Sequence, residues 1–334
     1  MRNKHVGVRA CAVVTALTMA AAPMSVAAAE DAAQAPLYES SYASKQEAIE
    51  AGAALNLEIA SEGMVLLKNE NQTLPLAAEE NKITVFGYAG ISPAGGGSSE
   101  SGDTSGGIVK LQADIYSSLE DAGYEINPTV RTSYENWLAD EEVTGDAAIH
   151  GLETFASEQA SWESSFEEYG GAALIVLSAG SSESRTHSLQ FDPEQYALID
   201  YAAEHFDKVV VLINSSKPYE VPQLKTSENV DAVLVVGEPG DNGFEALGQI
   251  LNGSVNPSGR TVDTWASDFT TTPSYANYNV SGDSYGYGRY VVDGEETATY
   301  FVEYEEGIYV GYRYYETRGY EEAKAGNEGW YEEN

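Results

Sequence analysis

The chain has 334 residues, of which 53 are acidic and 17 are lysine or arginine, so its formal net charge is −36. This charge repels polyphosphates and anionic lipids, which argues against nucleic acids and membrane surfaces as partners. The chain is long enough to bury a full hydrophobic core, and its single cysteine, Cys11, rules out an internal disulfide.

The first 29 residues have the order of a secretory signal peptide. Three basic residues, Arg2, Lys4 and Arg9, precede an apolar stretch over 10–22, and a run of small residues ends at Ala29. The alternative is an uncleaved anchor, since about 20 apolar residues can span a bilayer. The alanine-rich end favours cleavage. We therefore expect 1–29 to be removed and the protein to be secreted or held at the cell surface.

A linker and then a helix follow the signal segment. Residues 30–43 lack periodicity and are predicted to be the linker. Over 44–63, apolar residues recur near helical spacing, and Ser44 followed by Glu47 is the pattern of a capping box. The residues that carry this period are Ile49, Ala53, Leu55, Ile59 and Met64.

Four apolar runs rich in β-branched residues predict strands that are covered on both faces, as in a parallel sheet. Helices are predicted between them over 108–122, over 193–206 behind an N-capping Asp192, and over 242–251. This alternation predicts an α/β fold with a doubly wound, mostly parallel sheet flanked by helices, which binds ligands at the carboxyl ends of its strands. The four strand segments are 83–86, 172–177, 209–213 and 233–236.

Two further segments have a distinct composition. Residues 141–170 are acidic and weakly patterned, which predicts helical and loop structure. Of the 23 tyrosines, 12 lie between Tyr275 and Tyr320. We expect this tyrosine-rich part to be an extended segment at the C-terminal end of the domain and not another βα unit.

A glycine- and serine-rich loop, residues 87–107, follows the first predicted strand. It has no G-x-x-x-x-G-K-[ST] motif and no lysine or arginine, and its acidic residues oppose an anion, so nucleotide binding is not predicted. We expect it to form a rim around a polar ligand, with Ser98, Ser99 and Asp103 as candidate substrate-binding residues.

The loop after the second predicted strand carries Glu183, Arg185 and His187 within five residues. A carboxylic acid here could act as a general acid if burial raised its pKa, and Arg185 could orient a hydroxyl or the acid itself. No catalytic triad is predicted, because the serine and histidine lack a third partner and a G-x-S-x-G motif. The alternative is a solvated polar loop.

Glu238, after the fourth predicted strand, is the second candidate acid. The alternative is a helix-entry turn capped by Asp241 or Asn242. The four histidines lack ligand spacing, so we predict no metal site, and no cofactor is expected. Loops 87–107 and 178–190 and the turn at Glu238 all follow strands at one end of the sheet, so they are predicted to converge on one rim.

Four stretches of the sequence resemble glycoside hydrolase family 3, the β-glucosidase and β-xylosidase family. In order and spacing they are similar to the α/β-sandwich domain of that family, and the resemblance covers about residues 45–320. We therefore expect the sandwich domain over 44–320 and the start of a connection to a further domain over 321–334. The stretches are EGMVLLKNENQTLPL (62–76), VFGYAGISPAGGGSSESGD (85–103), NPSGRTVDTW (256–265) and EEGIYVGYRYYET (305–317).

The resemblance implies a retaining glycosidase, in which two carboxyl groups lie about 5 to 5.5 Å apart. In the family the nucleophile is an aspartate on a (β/α)8 barrel, and in many members the acid/base is a glutamate on a sandwich loop. Here Ser181 stands where that glutamate would most naturally fall, so Glu183, two positions later, is the candidate acid/base.

The sandwich follows the signal peptide directly, which resembles an inverted domain order with the barrel downstream. The chain would then be part of a longer enzyme that acts on an oligosaccharide or β-glucoside, and would be inactive alone. The alternative is a non-catalytic carbohydrate-binding or structural module. In that case the tyrosines of 275–320 would stack on sugars or simply pack.

Overall fold

The computed structural model describes residues 40–95, 111–139, 155–178, 189–277, 288–301, 304 and 306–333. The strands are β1 Val65–Asn69, β2 Lys82–Phe86, β3 Glu125–Ile126, β4 Ala173–Leu177, β5 Val209–Ile213, β6 Ala232–Val235, β7 Gly288–Val292 and β8 Glu295–Phe301. The helices are α1 Lys45–Gly63, α2 Ile115–Asp121, α3 Pro128–Leu138, α4 Gln159–Phe166, α5 Pro193–His205, α6 Pro222–Thr226, α7 Glu245–Leu251, α8 Tyr312–Ala325 and α9 Trp330–Glu333.

The main sheet has six strands in the order β1-β6-β5-β4-β2-β3. The four predicted apolar runs are confirmed as β2, β4, β5 and β6, and neighbouring strands among them pair in parallel. Their fully apolar sequences follow from their burial, since helices cover both faces of the sheet.

The sequence patterns did not predict the two edge strands. Strand β1 pairs antiparallel with β6, and the short β3 pairs in parallel with β2. The sheet is therefore mixed, with a parallel centre and one antiparallel edge strand.

Alternate residues of each central strand pack into two separate cores. In β4, Leu174 and Val176 face a core shared with α1, α2 and α7, whereas Ala173, Ile175 and Leu177 face a core shared with α3, α4, α5 and α6. The second core is rich in aromatic rings, and Phe86 makes edge contacts with Trp162, Phe166, Tyr201 and Phe206.

Helix α1 confirms the predicted helix and the burial of Met64, but three other residues of its apolar pattern are exposed. The Ser44 side chain accepts a hydrogen bond from the Glu47 N–H at 3.1 Å and caps the helix. Ile49, Leu55 and Ile59 are 45%, 55% and 60% exposed, and the buried apolar contacts come from Ala60 and the following Met64.

Two helices begin later than predicted. Helix α2 was expected from residue 108 but starts at Ile115, because Asp114 caps it and the preceding Gln112 N–H bonds to the Asp241 carbonyl. Residues 108–110 lie outside the described part. Helix α7 was expected from residue 242 but starts at Glu245. Helix α5 is confirmed, with Asp192 as its cap and Pro193 at its first position.

The predictions for residues 141–170 and for the tyrosine-rich segment can be compared with the structure only in part. Within 141–170, residues 155–170 include α4, and 141–154 lie outside the described part. The tyrosine-rich segment contains the antiparallel hairpin β7–β8, which is extended, but Tyr312–Ala325 forms helix α8. No helix among the described residues is long and apolar enough to cross a bilayer.

Candidate functional site

The carboxyl ends of the four central strands lie along one edge of the sheet, which we term the carboxyl edge. The first residues beyond β2, β4 and β5 are Gly87, Ser178 and Asn214, and Gly237 and Glu238 lie just beyond β6. This is the edge where open α/β sheets bind their ligands.

Asn214 joins the loops that leave this edge. Its side chain is fully buried, and its Oδ1 accepts from the Ala94 N–H at 2.7 Å while its Nδ2 donates to the Ala94 carbonyl at 2.9 Å. The same Nδ2 donates to the Gly237 carbonyl at 2.6 Å. One amide group thus fixes the start of the glycine-rich loop against the turn after β6.

The turn after β6 has three further anchors. Asn56 on α1 donates from Nδ2 to the Pro239 carbonyl at 2.6 Å, and the Gly240 N–H donates to the Gly95 carbonyl at 2.6 Å. The Gln112 Nε2 donates to the Asp241 carboxylate at 2.7 Å. The turn is therefore a rigid part of the edge, because every bond holds it to a different segment.

Glu238 lies on this fixed turn and is half-buried. The Ser216 hydroxyl donates to its Oε1 at 2.9 Å. The alternative of a capping turn is wrong in detail, because no side chain caps α7: Asp241 bonds to Gln112, and the Asn242 Nδ2 donates to the Ala53 carbonyl at 3.1 Å.

The other predicted site residues lie outside the described part of the chain. These are Ser98, Ser99 and Asp103 of the glycine-rich loop and Glu183, Arg185 and His187 of the loop after β4. The Gly240–Gly95 bond brings the start of the glycine-rich loop to the Glu238 turn. Convergence of the loop after β4 on the same rim stays a prediction.

Two buried polar residues hold the described ends of the loop after β4. At its start, the Gln195 Nε2 donates to the Ser178 carbonyl at 3.2 Å. At its end, the Glu220 N–H donates to the Leu189 carbonyl at 2.8 Å, and the Glu220 carboxylate accepts from the Gln190 Nε2. Both ends of the segment that carries Glu183 are thus tied to the second core.

The Glu220 carboxylate also reaches the segment after α7. Its Oε1 accepts from the Phe269 N–H at 2.8 Å, and the Glu220 side chain is largely buried. Burial, and then the nearby Glu220 charge, raise the pKa of Tyr196. Glu220 is therefore a structural carboxylate that connects three segments near the edge.

The sequence analysis missed Asn214, Asn56, Glu220 and Gln195. Asn214 could have been found, because it follows an apolar strand directly at the carboxyl end, the same signal that selected Glu238. The others gave no local signal, since their partners are distant in sequence. No cluster of three His, Cys, Asp or Glu side chains that could hold a metal ion occurs in the described ranges.

This chain is similar to a known protein family and to two β-glucosidases. Residues 64–312 match the model of the glycosyl hydrolase family 3 C-terminal domain. Thermostable beta-glucosidase B of Acetivibrio thermocellus is 32% identical over 267 residues, covering 79% of this chain and 30% of that protein. Beta-glucosidase A of Butyrivibrio fibrisolvens is 27% identical over 292 residues, covering 79% and 32%.

A solved structure of a β-glucosidase also matches most of this chain over part of its own length. Beta-glucosidase 3B of Thermotoga neapolitana, in complex with glycerol, superposes with a TM-score of 0.66 at 28% identity, covering 83% of this chain and 37% of that one. The chain thus spans about a third of the length of the proteins it matches.

Proposed function

Since this chain belongs to glycosyl hydrolase family 3 through its C-terminal-type domain, we propose that it is part of a β-glucosidase-like, retaining enzyme that hydrolyses O-glycosyl bonds. In this proposal the domain supplies the acid/base loop and part of the sugar-binding rim. A (β/α)8 barrel domain outside this chain supplies the nucleophile. The substrate is an oligosaccharide or β-glucoside.

The observation that carries the proposal is the match over residues 64–312, which includes the whole carboxyl edge. The loop after β4 leaves this edge between two fixed ends, Ser178 and Leu189. Glu183 is the only carboxylate between them. A carboxyl group presented by a loop on a rigid scaffold suits a general acid that must meet a nucleophile on another domain.

The roles within the site follow from this arrangement. Glu183 protonates the leaving-group oxygen and then activates water, and Arg185 and His187 bind sugar hydroxyls or orient the acid. Glu238, Ser98, Ser99 and Asp103 are the proposed rim contacts. Glu238 is the second candidate acid/base, because its carboxylate lies on the same edge and accepts a hydrogen bond from Ser216.

The test combines this chain with a family 3 barrel domain and compares Glu183→Gln with the parent on cellobiose and on an activated aryl glucoside. General acid/base assistance is typically about 10²- to 10⁴-fold, so kcat/KM on cellobiose should fall within that range, and much less on the aryl glucoside. Glu228→Gln, an exposed glutamate outside the edge, is the matched control.

Two results would change this assignment. Unaltered cellobiose hydrolysis by Glu183→Gln would remove Glu183 from the mechanism and move the role to Glu238. Hydrolysis by the isolated chain would contradict the proposal that the site is divided between two domains.

A carbohydrate-binding module without catalysis is the second candidate. It is favoured by exposed tyrosines in the tyrosine-rich segment, including Tyr304 at 78% and Tyr320 at 66% exposure. Tyrosine offers sugars an apolar face and a hydroxyl. Cellobiose binding by the isolated chain, with no hydrolysis when any barrel domain is added, would support the module over the enzyme.

We also propose that the protein is secreted. The support is the basic, apolar and small-residue order of residues 1–29. N-terminal sequencing of protein from the culture medium should then begin at Glu30, and an intact Met1 on membrane-bound protein would favour the anchor.

A further inference from the structure

A groove of about 490 Å³ lies between the edge strand β1, helix α6 and residues 261–267. Its volume is within the range of small-molecule pockets, about 300 to 1,000 Å³. The groove shares no lining residue with the carboxyl edge. It is therefore a second possible binding region, independent of the proposed hydrolytic site.

Strand β1 is irregular where it forms the groove wall. Successive side chains of a regular strand point to opposite faces. Here the register with β6 shifts between Leu66 and Lys68, and both Leu67 and Lys68 line the groove. Such bulges commonly re-aim a side chain beside a functional site. The irregularity brings a lysine into a wall that would otherwise be apolar.

Lys68 is a largely buried lysine with one hydrogen bond among the described residues. Its side chain belongs to a residue only 9% exposed, and its Nζ donates to the Ser227 carbonyl at 2.7 Å. An ammonium group has three N–H donors, and a buried charge without a partner is unfavourable. No salt bridge of Lys68 is present among the described residues, whereas Lys82, Lys208, Arg131 and Arg318 each pair with a glutamate.

The rest of the groove has the groups that a sugar ring needs. Trp265 is half-buried and lines the groove, so it supplies a flat apolar surface. Hydroxyl groups come from Thr226, Thr261 and Thr264, and Asp263 is the one carboxylate in the lining. A second lysine, Lys225, is exposed at the wall.

The groove is thus locally cationic on a strongly acidic protein. Its lining has two lysines against one aspartate, while the formal net charge of the chain is −36. The neighbouring groove on α5 is the reverse, since its described lining has Asp200, Glu220 and Asp268 and no lysine or arginine. A lining in which lysines outnumber carboxylates favours an anionic ligand in this groove.

We propose that this groove binds a carboxylate-bearing sugar, that is, a hexuronic acid unit. The sugar carboxylate pairs with Lys68 and Lys225, a face of the pyranose ring stacks on Trp265, and Asp263 and the threonines bind its hydroxyls. The groove is then an accessory site through which the protein holds acidic polysaccharide. It does not depend on hydrolysis at the carboxyl edge.

The test is calorimetric titration of the purified chain with D-glucuronate, followed in parallel by tryptophan fluorescence. D-Glucose lacks the carboxylate and acetate lacks the ring. D-Glucose should bind at least tenfold more weakly because it cannot form charge-assisted bonds to the lysines, and acetate because it cannot stack on Trp265. Glucose binding equal to that of glucuronate would overturn the role of the lysines, and equal acetate binding would overturn sugar recognition.

Variants locate the site. Lys68→Met should weaken glucuronate binding at least tenfold, whereas Lys45→Met, which makes the same charge change on exposed α1, should leave it unchanged. If Lys68→Met does not fold, Lys225→Met and Trp265→Phe test the proposal instead. Both should fold, because Lys225 is exposed and phenylalanine keeps an aromatic ring at position 265. Parental affinity in both of these variants, or no glucuronate binding by the parent, would overturn the proposal.

Discussion

Gly87 and Asn214 show how single residues build the carboxyl edge. Gly87 has φ of +96°, and a Cβ added to it would lie 2.3 Å from the Val176 carbonyl oxygen. Asn214 is a buried polar residue that satisfies three backbone groups of two loops. A buried amide is stable only when it is hydrogen-bonded, so these loops and Asn214 fix each other.

A matched pair of glycine variants tests the close approach at Gly87. Gly123 has nearly the same φ, +95°, but a Cβ there would meet nothing within 4 Å. Gly123→Ala should destabilise the fold by about 1 to 2 kcal/mol from the left-handed backbone alone. Gly87→Ala should lose about 1 to 3 kcal/mol more, because it adds an overpacked contact with β4 and because ψ of +141° places Gly87 in a backbone region that other residues avoid. Urea unfolding measures both, and equal losses would contradict the clash.

At the scale of elements, helix α2 shows where local pattern and tertiary structure disagree. The apolar period of 108–122 predicts a longer helix, but Gln112 and Ala113 donate their N–H groups to the Asp241 carbonyl. The helix can then begin only at Ile115. Asp114 and Ser117 complete this start, since each side chain bonds to the backbone of the other.

Variants of Asp114 and Asp121, at the two ends of α2, test whether Asp114 caps the start of this helix. Asp114→Ala removes the bond from the Ser117 N–H at 2.7 Å and should cost about 1 kcal/mol of unfolding free energy. Asp121→Ala, at the other end of α2, removes an acid from the negative end of the helix dipole and should be neutral or slightly stabilising. Thermal unfolding separates them, and an equal loss in both variants would count against the capping role.

For the whole molecule, the two cores hold many tyrosines whose hydroxyl groups cannot ionise easily. Burial raises the pKa of Tyr116 and Tyr134, and it raises the pKa of Tyr124 and Tyr201 to about 12. The usual tyrosine pKa is about 10. Above that pH the unfolded chain binds fewer protons than the folded one, so the free energy of unfolding falls as pH rises.

We therefore expect the melting temperature to drop steeply between about pH 10 and pH 12. Tyr116→Phe isolates the effect, because the Tyr116 hydroxyl is buried and has no hydrogen-bond partner among the described residues. The variant should match or exceed the parent in stability at pH 7 and should lose less stability at pH 11. If both proteins lose the same amount, tyrosine ionisation at this position does not contribute.

The sequence alone determined the central strands, the fold class, the family and helices α1 and α5. The reason is local: strands covered on both faces are apolar throughout, and Asp192-Pro193 combines an N-cap residue with a proline at the first helical position. The carboxyl edge as the candidate site follows from the same topology, and Glu238 could be placed there from its position after β6.

Only the tertiary structure decided the antiparallel edge strand β1, the late start of α2 and the residues that hold the edge together. Val65–Asn69 pairs with a strand more than 160 residues away, and Asn214 bonds to Ala94 across 120 residues. The same holds for the groove at Lys68, which needs a shifted register, α6 and residues 261–267 together. Such contacts depend on which segments meet in space, and the free energy of a buried polar group depends on partners that its neighbours in sequence do not specify.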